Sequence, residues 1–393
     1  MRRRLPPLLA LLCGLLLTAG CSAEAPAGTA AVASAGTGKP PSAAVVRALS
    51  LGVNIANWFT HRNERATVDP DNDPDNNDFQ LIRELGLRHV RIQIDPEVLI
   101  DESKPDGFDR DGIADLEKAI AEIQTQGLTV VVALQPGSDI KASLATDPAE
   151  LKRFNDFWYR LAARLRHISP EFLLFETLNE PEFDSAETWS GIQAKLAGAI
   201  RAAAPDHTVV LTGHRYSDIA QLLEITPIQD RNVVYSFHFY DPHNFTHQGA
   251  EWGYEMWRKF RGFPYPVDPV AAAVTRSSLS EEVLPHFDHY INQDWNREKL
   301  RIEIDKAAEW ARRHGVVIYC SEFGAYRPAA PRSARANWLR DVRELLEERD
   351  IGWSLWAYAG GFGLATGVRG ERALDEYALN ALGLKTPPRS TAP

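Results

Sequence analysis

The 393-residue chain contains only three cysteines, Cys13, Cys21 and Cys320, too few for a disulfide framework or a cysteine-based zinc site. Basic residues are too few to balance the acidic ones: 43 lysines and arginines accompany 53 aspartates and glutamates, and the formal net charge is −10. This charge argues against a nucleic-acid partner, which requires a basic surface. The sequence lacks a Gly-x-Ser-x-Gly motif, which counts against a serine hydrolase. It also lacks a phosphate-binding glycine fingerprint after the first predicted strand, which counts against an open doubly wound sheet.

The N-terminal segment has the features of an export signal. Three arginines precede an apolar run at residues 5–17 that is too short for a stable membrane span. Small residues then lead into Cys21, a pattern that resembles a bacterial lipobox. We therefore expect residues 1–21 to be a lipoprotein signal peptide, with Cys21 lipidated and the protein anchored to the cell envelope; ordinary secretion and release is the alternative. In a Gram-negative source, Ser22 favours the outer membrane, because it is not the aspartate associated with inner-membrane retention.

Composition divides the rest of the chain into three parts. Residues 22–47 are rich in small residues and proline and poor in large apolar side chains, which predicts a disordered, flexible linker. Residues 48–384 are predicted to form one catalytic domain, and residues 385–393 a disordered tail.

Short β-rich runs alternate with longer amphipathic stretches from residue 48 onward. The predicted strands are Leu51–Ala56, His89–Ile94, Leu128–Leu134, Phe172–Leu178, Thr208–Thr212, Val233–Phe239, Val316–Cys320 and Trp353–Ala357. The predicted helices include residues 79–86, 113–123, 151–165, 188–203, 297–313 and 334–346. Eight strands separated by helices predict an α/β protein with a single (β/α)8 TIM barrel, in which catalytic residues lie at the C-terminal ends of the strands.

Two glutamates follow apolar strand sequences, where the active site of a barrel would lie. Glu180 stands in Leu-Asn-Glu-Pro (178–181), after the fourth predicted strand, and Glu322 stands in Ser-Glu-Phe-Gly (321–324), after the seventh. Neighbouring buried carboxylates are costly because one raises the pKa of the other, so a fold that tolerates them usually uses them. Retaining glycosidases need such a pair about 5 Å apart, one a general acid and the other a nucleophile.

These two motifs resemble the catalytic motifs of glycoside hydrolase family 5, the cellulase family. The resemblance covers roughly residues 48–384, and its ordered set of motifs lies at six strand ends. The further matching segments are Gly52-Val53-Asn54, Glu84-Leu85-Gly86 with His89–Ile92, Phe237–Tyr240 with Asp241-Pro242, and Trp356.

The resemblance implies a role for each matching residue. Glu180 would be the acid/base, and Glu322 would be the nucleophile that forms a covalent glycosyl intermediate. Arg91 would hydrogen-bond Glu322 and keep it ionised, and Tyr240 would donate a hydrogen bond to the same carboxylate. Without the motif, Arg91 would be interpreted as a structural ion-pair residue.

Four further residues would contact or support the substrate. Asn179 would bind the sugar 2-hydroxyl, although such a residue also suits a helix cap. His238 would position the substrate or the acid, Trp356 would stack beneath the sugar, and Asn54 would support the site.

Gln135 departs from the family pattern. Family members commonly carry a histidine in a Leu-His motif before Pro-Gly, whereas this chain has Ala-Leu-Gln-Pro-Gly at residues 133–137. A glutamine can hydrogen-bond a sugar hydroxyl but cannot carry a proton, so the preferred sugar is left open by this substitution.

A dense aromatic stretch follows the sixth predicted strand and has two open interpretations. It could form a sugar-stacking wall or the private core of a long loop. Its members are Trp252, Tyr254, Trp257, Phe260, Phe263 and Tyr265.

No cofactor or metal is predicted. His238, His243 and His247 lie close in sequence, but Pro242 precludes a regular helical face there. The acidic run at residues 69–78 lacks the glycine and glutamate of an EF-hand, and it predicts a solvated loop with Asp78 as a helix N-cap. Cys320 is expected to be buried and inert.

The sequence therefore predicts a retaining endo-β-glycosidase. Its expected partner is a β-linked polysaccharide or oligosaccharide, with β-1,4-glucan favoured and mannan, xylan, β-1,3-glucan or a bacterial exopolysaccharide open. We expect a monomer that meets a membrane only through its lipid anchor. The alternative is a non-catalytic polysaccharide-binding, export or matrix protein on the same barrel, which Gln135 leaves open and the intact pair of Glu180 and Glu322 argues against.

Overall fold

The computed structural model describes residues 38–59 and 73–386. Eight parallel strands form a closed barrel in chain order, which confirms the predicted (β/α)8 fold. The barrel strands are β1 (Leu51–Phe59), β2 (His89–Ile94), β3 (Thr129–Leu134), β4 (Leu173–Glu176), β5 (Val209–Thr212), β6 (Val233–Phe239), β7 (Val317–Phe323) and β8 (Gly352–Leu355). Strands β9 (Ala365–Thr366) and β10 (Ala373–Leu374) form a short antiparallel pair after the barrel.

Helix α1 precedes the first barrel strand, and the other helices lie between the barrel strands in sequence or follow the last one. They are α1 (Ala43–Leu49), α2 (Asn76–Glu84), α3 (Arg110–Thr125), α4 (Ser138–Thr146), α5 (Pro148–Leu165), α6 (Ala186–Ala203), α7 (Ile219–Leu222), α8 (His243–Thr246), α9 (Pro269–Arg276), α10 (Leu284–Asn292), α11 (Arg297–His314), α12 (Arg332–Glu347) and α13 (Glu376–Ala381). Local sequence explains their ends. Helix α5 begins after Asp147, whose carboxylate accepts from the Ala149 amide, and α11 ends at Gly315 in the left-handed conformation with φ of 63°. No helix in the described part of the chain is long and apolar enough to cross a membrane.

Apolar, β-branched sequences form the barrel strands because both of their faces are covered. Every residue of β3, Thr-Val-Val-Val-Ala-Leu, is buried. The register places Asn54 of β1 beside Arg91 of β2, and Ala133 of β3 beside Glu176 of β4. Polar side chains from separate strands are thereby brought to one end of the barrel.

Helix α1 corrects the predicted extent of the linker. Residues 43–47 belong to this helix, which is capped by the Ser42 hydroxyl accepting from the Val45 amide at 3.2 Å. Val45 and Leu49 are buried in a small apolar cluster with residues of the barrel strands. Burial of these two side chains outweighs the small-residue composition that predicted a flexible segment. The remainder of the predicted linker up to residue 37, Cys21 and most of the predicted tail lie outside the described residues.

Helix α2 corrects the role predicted for Asp78. The N-cap is Asp75, whose carboxylate accepts from the Asn77 and Asp78 amides. Asp78 is the third helical residue and returns a hydrogen bond to the Asp75 amide, completing a capping box. Its other oxygen accepts from the buried Tyr358 hydroxyl at 2.5 Å. Residues 69–72 of the acidic run lie outside the described part.

Candidate active site

A cleft of about 920 Å³ opens at the C-terminal ends of the barrel strands. Residues from β1, β2, β7 and the loops after the other strands line it, including Glu180, Glu322 and Trp356. The motif glycine Gly324 is required here, because a Cβ at this position would lie 2.3 Å from the Trp356 carbonyl oxygen. The end of β7 and the end of β8 can approach each other only at a residue without a side chain.

Arg91 is the buried centre of the site. Its Nε and Nη2 donate to the two oxygens of Glu176, both at 2.7 Å, and its Nη1 donates to Glu322 Oε1 at 2.7 Å. Burial by itself would lower the pKa of Arg91, but Glu176 and Glu322 together raise it well above its usual range. Arg91 is therefore both a structural ion-pair residue, through Glu176, and a partner of Glu322.

Asn54 and Asn179 hold Arg91 from two further sides. Arg91 Nη1 donates to Asn54 Oδ1 at 2.8 Å, and Arg91 Nη2 donates to Asn179 Oδ1 at 2.6 Å. The Asn54 amide also donates to the Ser321 carbonyl, and its side chain is fully buried. Asn54 therefore supports Arg91 and does not line the cleft.

Gln135 lies where the family pattern has a histidine. Its Oε1 accepts from Asn179 Nδ2 at 2.5 Å. Because the other end of the Asn179 amide is bonded to Arg91, both ends of Asn179 are fixed and Asn179 does not cap a helix. Gln135 thus orients Asn179 through a neutral hydrogen bond, which requires no titratable proton.

Glu322 lies within β7 and accepts hydrogen bonds from three side chains. Its Oε1 accepts from Arg91 and from Gln93 Nε2 at 2.8 Å, and its Oε2 accepts from the Tyr240 hydroxyl at 2.8 Å. Burial raises the pKa of Glu322 in the free protein, against the opposing effects of His238 and Arg91. Two donors on Oε1 and one on Oε2 fix the orientation of the carboxylate.

Glu180 lies four residues beyond the end of β4 in a strained backbone conformation, with φ of 44°. The buried Lys141 ammonium donates to the Glu180 carbonyl oxygen at 2.8 Å and to Glu182 at 3.0 Å, which fixes this turn. The Glu180 side chain remains 34% exposed and faces the cleft. Burial alone would raise the pKa of Glu180, but its hydrogen bond with His238 holds that pKa below the ordinary value.

His238 lies between the two glutamates. Its Nδ1 is 3.0 Å from Glu180 Oε1, and its Nε2 is 3.5 Å from Glu322 Oε1. A register shift after Phe237 pairs His238 with Glu322 across β6 and β7, and such bulges re-aim side chains beside active sites. Burial by itself would lower the pKa of His238, but Glu322 and Glu180 together raise it. The imidazole is therefore hydrogen-bonded to Glu180 through Nδ1, whereas its buried Nε2 makes no hydrogen bond with the described residues and only approaches Glu322.

The two glutamates are close enough to act on one bond. One carboxylate oxygen of Glu180, one ring nitrogen of His238 and one carboxylate oxygen of Glu322 lie within 4.8 Å of one another. This closeness fits the separation of roughly 5 Å between the two carboxyl groups of retaining glycosidases. His243 and His247 are not in this group and instead stack on each other, with ring centroids 5.2 Å apart.

The aromatic stretch is divided between the two interpretations. Trp252 and Tyr254 are about half exposed and line the cleft together with Trp257. Phe260, Phe263 and Tyr265 are buried in the core of the segment that connects β6 and β7, against Phe287 and Tyr290. The first half of the stretch is cleft wall, and the second half is loop core that is continuous with the main hydrophobic core of the barrel.

Sequence reasoning missed Glu176, Gln93 and Lys141. Gln93 had a usable signal, because side chains two residues apart on a strand point the same way and Arg91 had been assigned to the site. Cys320 is buried as expected, and burial raises the pKa of its thiol well above the usual range.

Replacing Glu176 with glutamine is expected to lower the free energy of unfolding by about 3–5 kcal/mol, because it leaves a buried guanidinium without its bidentate partner. We also expect kcat/KM to fall about 100-fold, because Arg91 would no longer be fixed against Glu322. Urea unfolding and steady-state kinetics measure the two effects. Glu187→Gln, at an exposed position in the first turn of α6, is the matched control, and equal effects of the two changes would contradict the prediction.

Residues 51–361 match the family model described as Cellulase (glycosyl hydrolase family 5). Endoglucanase C of Acetivibrio thermocellus is 28% identical over 318 residues, which span 78% of this chain and 90% of that protein.

Solved structures with the same fold include two complexes of Thermotoga maritima Cel5A. The complex with cellobiose has a TM-score of 0.72 and 27% identity, and the match covers 88% of this chain and 99% of that one. The complex with mannotriose has a TM-score of 0.70 and 25% identity, with 86% and 99% covered.

Proposed function

Because the chain belongs to the cellulase family, glycosyl hydrolase family 5, and is a glycosyl hydrolase, we propose that it cleaves β-1,4-glucan internally with retention of anomeric configuration. The observation that carries the mechanism is the separation of Glu180 and Glu322, whose carboxylate oxygens lie within 4.8 Å. The proposal of β-1,4-glucan is supported by relatives named endoglucanases. The Cel5A complex with mannotriose keeps mannan as a second candidate substrate.

In the first step, Glu322 attacks the anomeric carbon and the bond to the leaving oxygen breaks. Two donors hold Glu322 Oε1, whereas Oε2 accepts the Tyr240 hydroxyl alone among the described contacts, so Oε2 has lone pairs available for the new bond. The leaving oxygen takes a proton from Glu180 and departs as a hydroxyl. The products of this step are a glycosyl ester on Glu322 and an ionised Glu180.

The proton for this step lies one hydrogen bond from Glu180 in the free enzyme. His238 Nδ1 contacts Glu180 Oε1 at 3.0 Å, and the raised pKa of His238 favours its protonated form. Transfer along this bond converts Glu180 to the acid and leaves His238 neutral. Substrate favours that transfer by excluding water from around Glu180, since desolvation disfavours the carboxylate.

In the second step, ionised Glu180 takes a proton from water as the water oxygen attacks the anomeric carbon. The ester bond to Glu322 breaks, and the carboxylate returns to Arg91, Gln93 and Tyr240. Two inversions at one carbon give a product with the β configuration of the substrate.

Early product analysis tests this proposal. We expect the first-formed sugar to be the β-anomer by NMR, and we expect the viscosity of soluble β-1,4-glucan to fall well before reducing ends accumulate, as internal cleavage requires. An initial α-anomer would contradict the retaining mechanism. Binding of oligosaccharides without release of reducing ends from glucan, mannan or xylan would favour the non-catalytic alternative.

We also propose that the enzyme is a monomer, exported and anchored through a lipid on Cys21. The described cleft takes both catalytic glutamates from one chain, which supports a monomer. The arginines, apolar run and small residues before Cys21 support the anchor, although this segment lies outside the described residues. Cys21→Ala should move the protein from the membrane fraction to the soluble fraction, and an unchanged distribution would contradict the anchor.

A further inference from the structure

Two polar side chains in the cleft have no part in the mechanism above. Asp218 follows β5, and His243 begins α8 after β6. Asp218 pairs with His238 in an isolated parallel bridge, and the His238 amide donates to the Ser217 carbonyl at 2.8 Å. The backbone that carries Asp218 is therefore fixed directly beside the catalytic histidine.

The Asp218 carboxylate is available to a ligand. It lines the cleft, and it accepts no hydrogen bond from the side chains and amides of the described residues, although Asp218 occupies the N-cap position of α7. Burial raises the pKa of Asp218 to about 6, with His243 opposing and Asp241 adding to the effect. A partly desolvated carboxylate without a donor suits a hydrogen-bonding ligand.

Three flat rings line the same cleft as this carboxylate. His243, His247 and Trp257 pack with interplanar angles of 10°, 16° and 26° and centroid distances of 4.6–5.9 Å. His243 also contacts Asp241, with Nδ1 3.4 Å from Oδ1. Flat aromatic surface beside a few polar groups is the usual composition of a sugar-binding surface.

The order of the strands around the barrel places Asp218 and His243 on one side of the cleaved bond. Glu180 after β4 and Glu322 in β7 divide the ring of strands into two arcs. Trp356 follows β8 on one arc, and Asp218 and His243 lie on the other, between β5 and β7. Because the family resemblance implies that Trp356 stacks beneath the sugar at the cleavage point, we assign the second arc to the sugar that leaves.

The charge of the cleft limits which sugar fits. Among the described residues that line it, three are acidic, Glu180, Asp218 and Glu322, and none is lysine or arginine. Among the described lining residues, a sugar carrying a carboxylate would meet like charges, and the one histidine there with a raised pKa, His243, already contacts the Asp241 carboxylate. Hydroxyl groups, in contrast, can donate to Asp218.

We propose that Asp218 and His243 form the polar part of a subsite for the leaving sugar, which takes a neutral hexose through its hydroxyls and rejects a uronic acid. This inference rests on the proposed function. It adds a determinant of substrate class that the catalytic pair does not provide.

Kinetics on two matched substrates test this subsite. With cellopentaose, which places a sugar on this wall, Asp218→Ala is expected to lower kcat/KM about tenfold to a hundredfold, as loss of a hydrogen bond to a charged group does. With an aryl β-cellobioside, whose leaving group has no sugar hydroxyls, we expect a loss below about threefold. Asp218→Asn should recover most of the loss, and Asp111→Asn, at an exposed position in α3, is the control.

A second measurement addresses charge. Wild-type enzyme should cleave a C6-oxidised cello-oligosaccharide at least about tenfold more slowly than the neutral one, and Asp218→Asn should narrow that difference. The subsite would be overturned if Asp218→Ala lowered kcat/KM equally on cellopentaose and the aryl β-cellobioside, or on neither of them. Equal rates of cleavage of the oxidised and neutral oligosaccharides by the wild type would also overturn it. Inactivity of the wild type on both cellopentaose and the aryl glycoside would instead overturn the proposed function.

Discussion

Replacing Glu322 with alanine is expected to lower kcat on β-1,4-glucan on the order of 10⁴-fold or more, and added azide is expected to restore turnover with an α-glycosyl azide as product. Removal of an enzyme nucleophile typically costs this much, because no covalent intermediate can form. The alanine leaves a space between Arg91, Gln93 and Tyr240, the three donors that held the carboxylate. An azide ion in that space attacks from the α face while Glu180 still protonates the leaving group.

The anomer of the azide product distinguishes the two glutamates, and early-time NMR identifies it. Glu322→Gln should still bind cello-oligosaccharides, because the amide keeps the shape of the site, and Glu187→Gln should retain wild-type kcat. A β-glycosyl azide from Glu322→Ala, or kcat within tenfold of the wild type, would show that Glu322 is not the nucleophile.

Replacing Glu180 with alanine is expected to lower kcat/KM on β-1,4-glucan by about 10²–10⁴-fold, the range that general acid–base catalysis contributes. The loss should be smaller for bond cleavage in an aryl β-cellobioside with an acidic phenol, because that leaving group needs little protonation. The ester on Glu322 should then accumulate, since no base remains to activate water. Azide needs no base and is expected to release the ester as a β-glycosyl azide.

Rapid-mixing kinetics of Glu180→Ala with the aryl β-cellobioside test this prediction. We expect a burst of phenol followed by a slow steady rate. Glu182→Ala is an informative comparison, since Glu182 also contacts Lys141 but does not line the cleft. It should disturb the turn and show no burst. Equal losses on glucan and aryl glycoside, without a burst and without azide acceleration, would exclude Glu180 as the acid/base.

The fold followed from the sequence because each barrel strand is a short apolar run between amphipathic helices. Burial on both faces requires such runs, and β3 shows this with six consecutive buried residues. Helix α1 was missed because only Val45 and Leu49 in it are buried, too weak a pattern to separate it from the small-residue segment before it. Its helical state depends on contact with the barrel strands, which local sequence does not encode.

Within the site, motifs identified the residues that do chemistry but not the residues that hold them. Glu176 is indistinguishable in sequence from any polar residue at a strand end, and only the register between strands brings it to Arg91. Lys141 was missed for a similar reason, since its contact with the Glu180 carbonyl spans 39 residues. The aromatic stretch could not be divided beforehand, because exposure of Trp252 and burial of Phe263 are set by tertiary packing.

The segment between β6 and β7 has a consequence for how such enzymes diverge. It presents Trp252, Tyr254 and Trp257 to the cleft, while Phe260 and Phe263 of the same segment are buried in the main hydrophobic core. Because Trp252 and Tyr254 are half exposed whereas Arg91 and Glu176 are fully buried, substitutions at the two aromatic positions are expected to alter the cleft wall without disturbing the ion pairs of Arg91. The contacts with the sugar can therefore change separately from the groups that carry out hydrolysis.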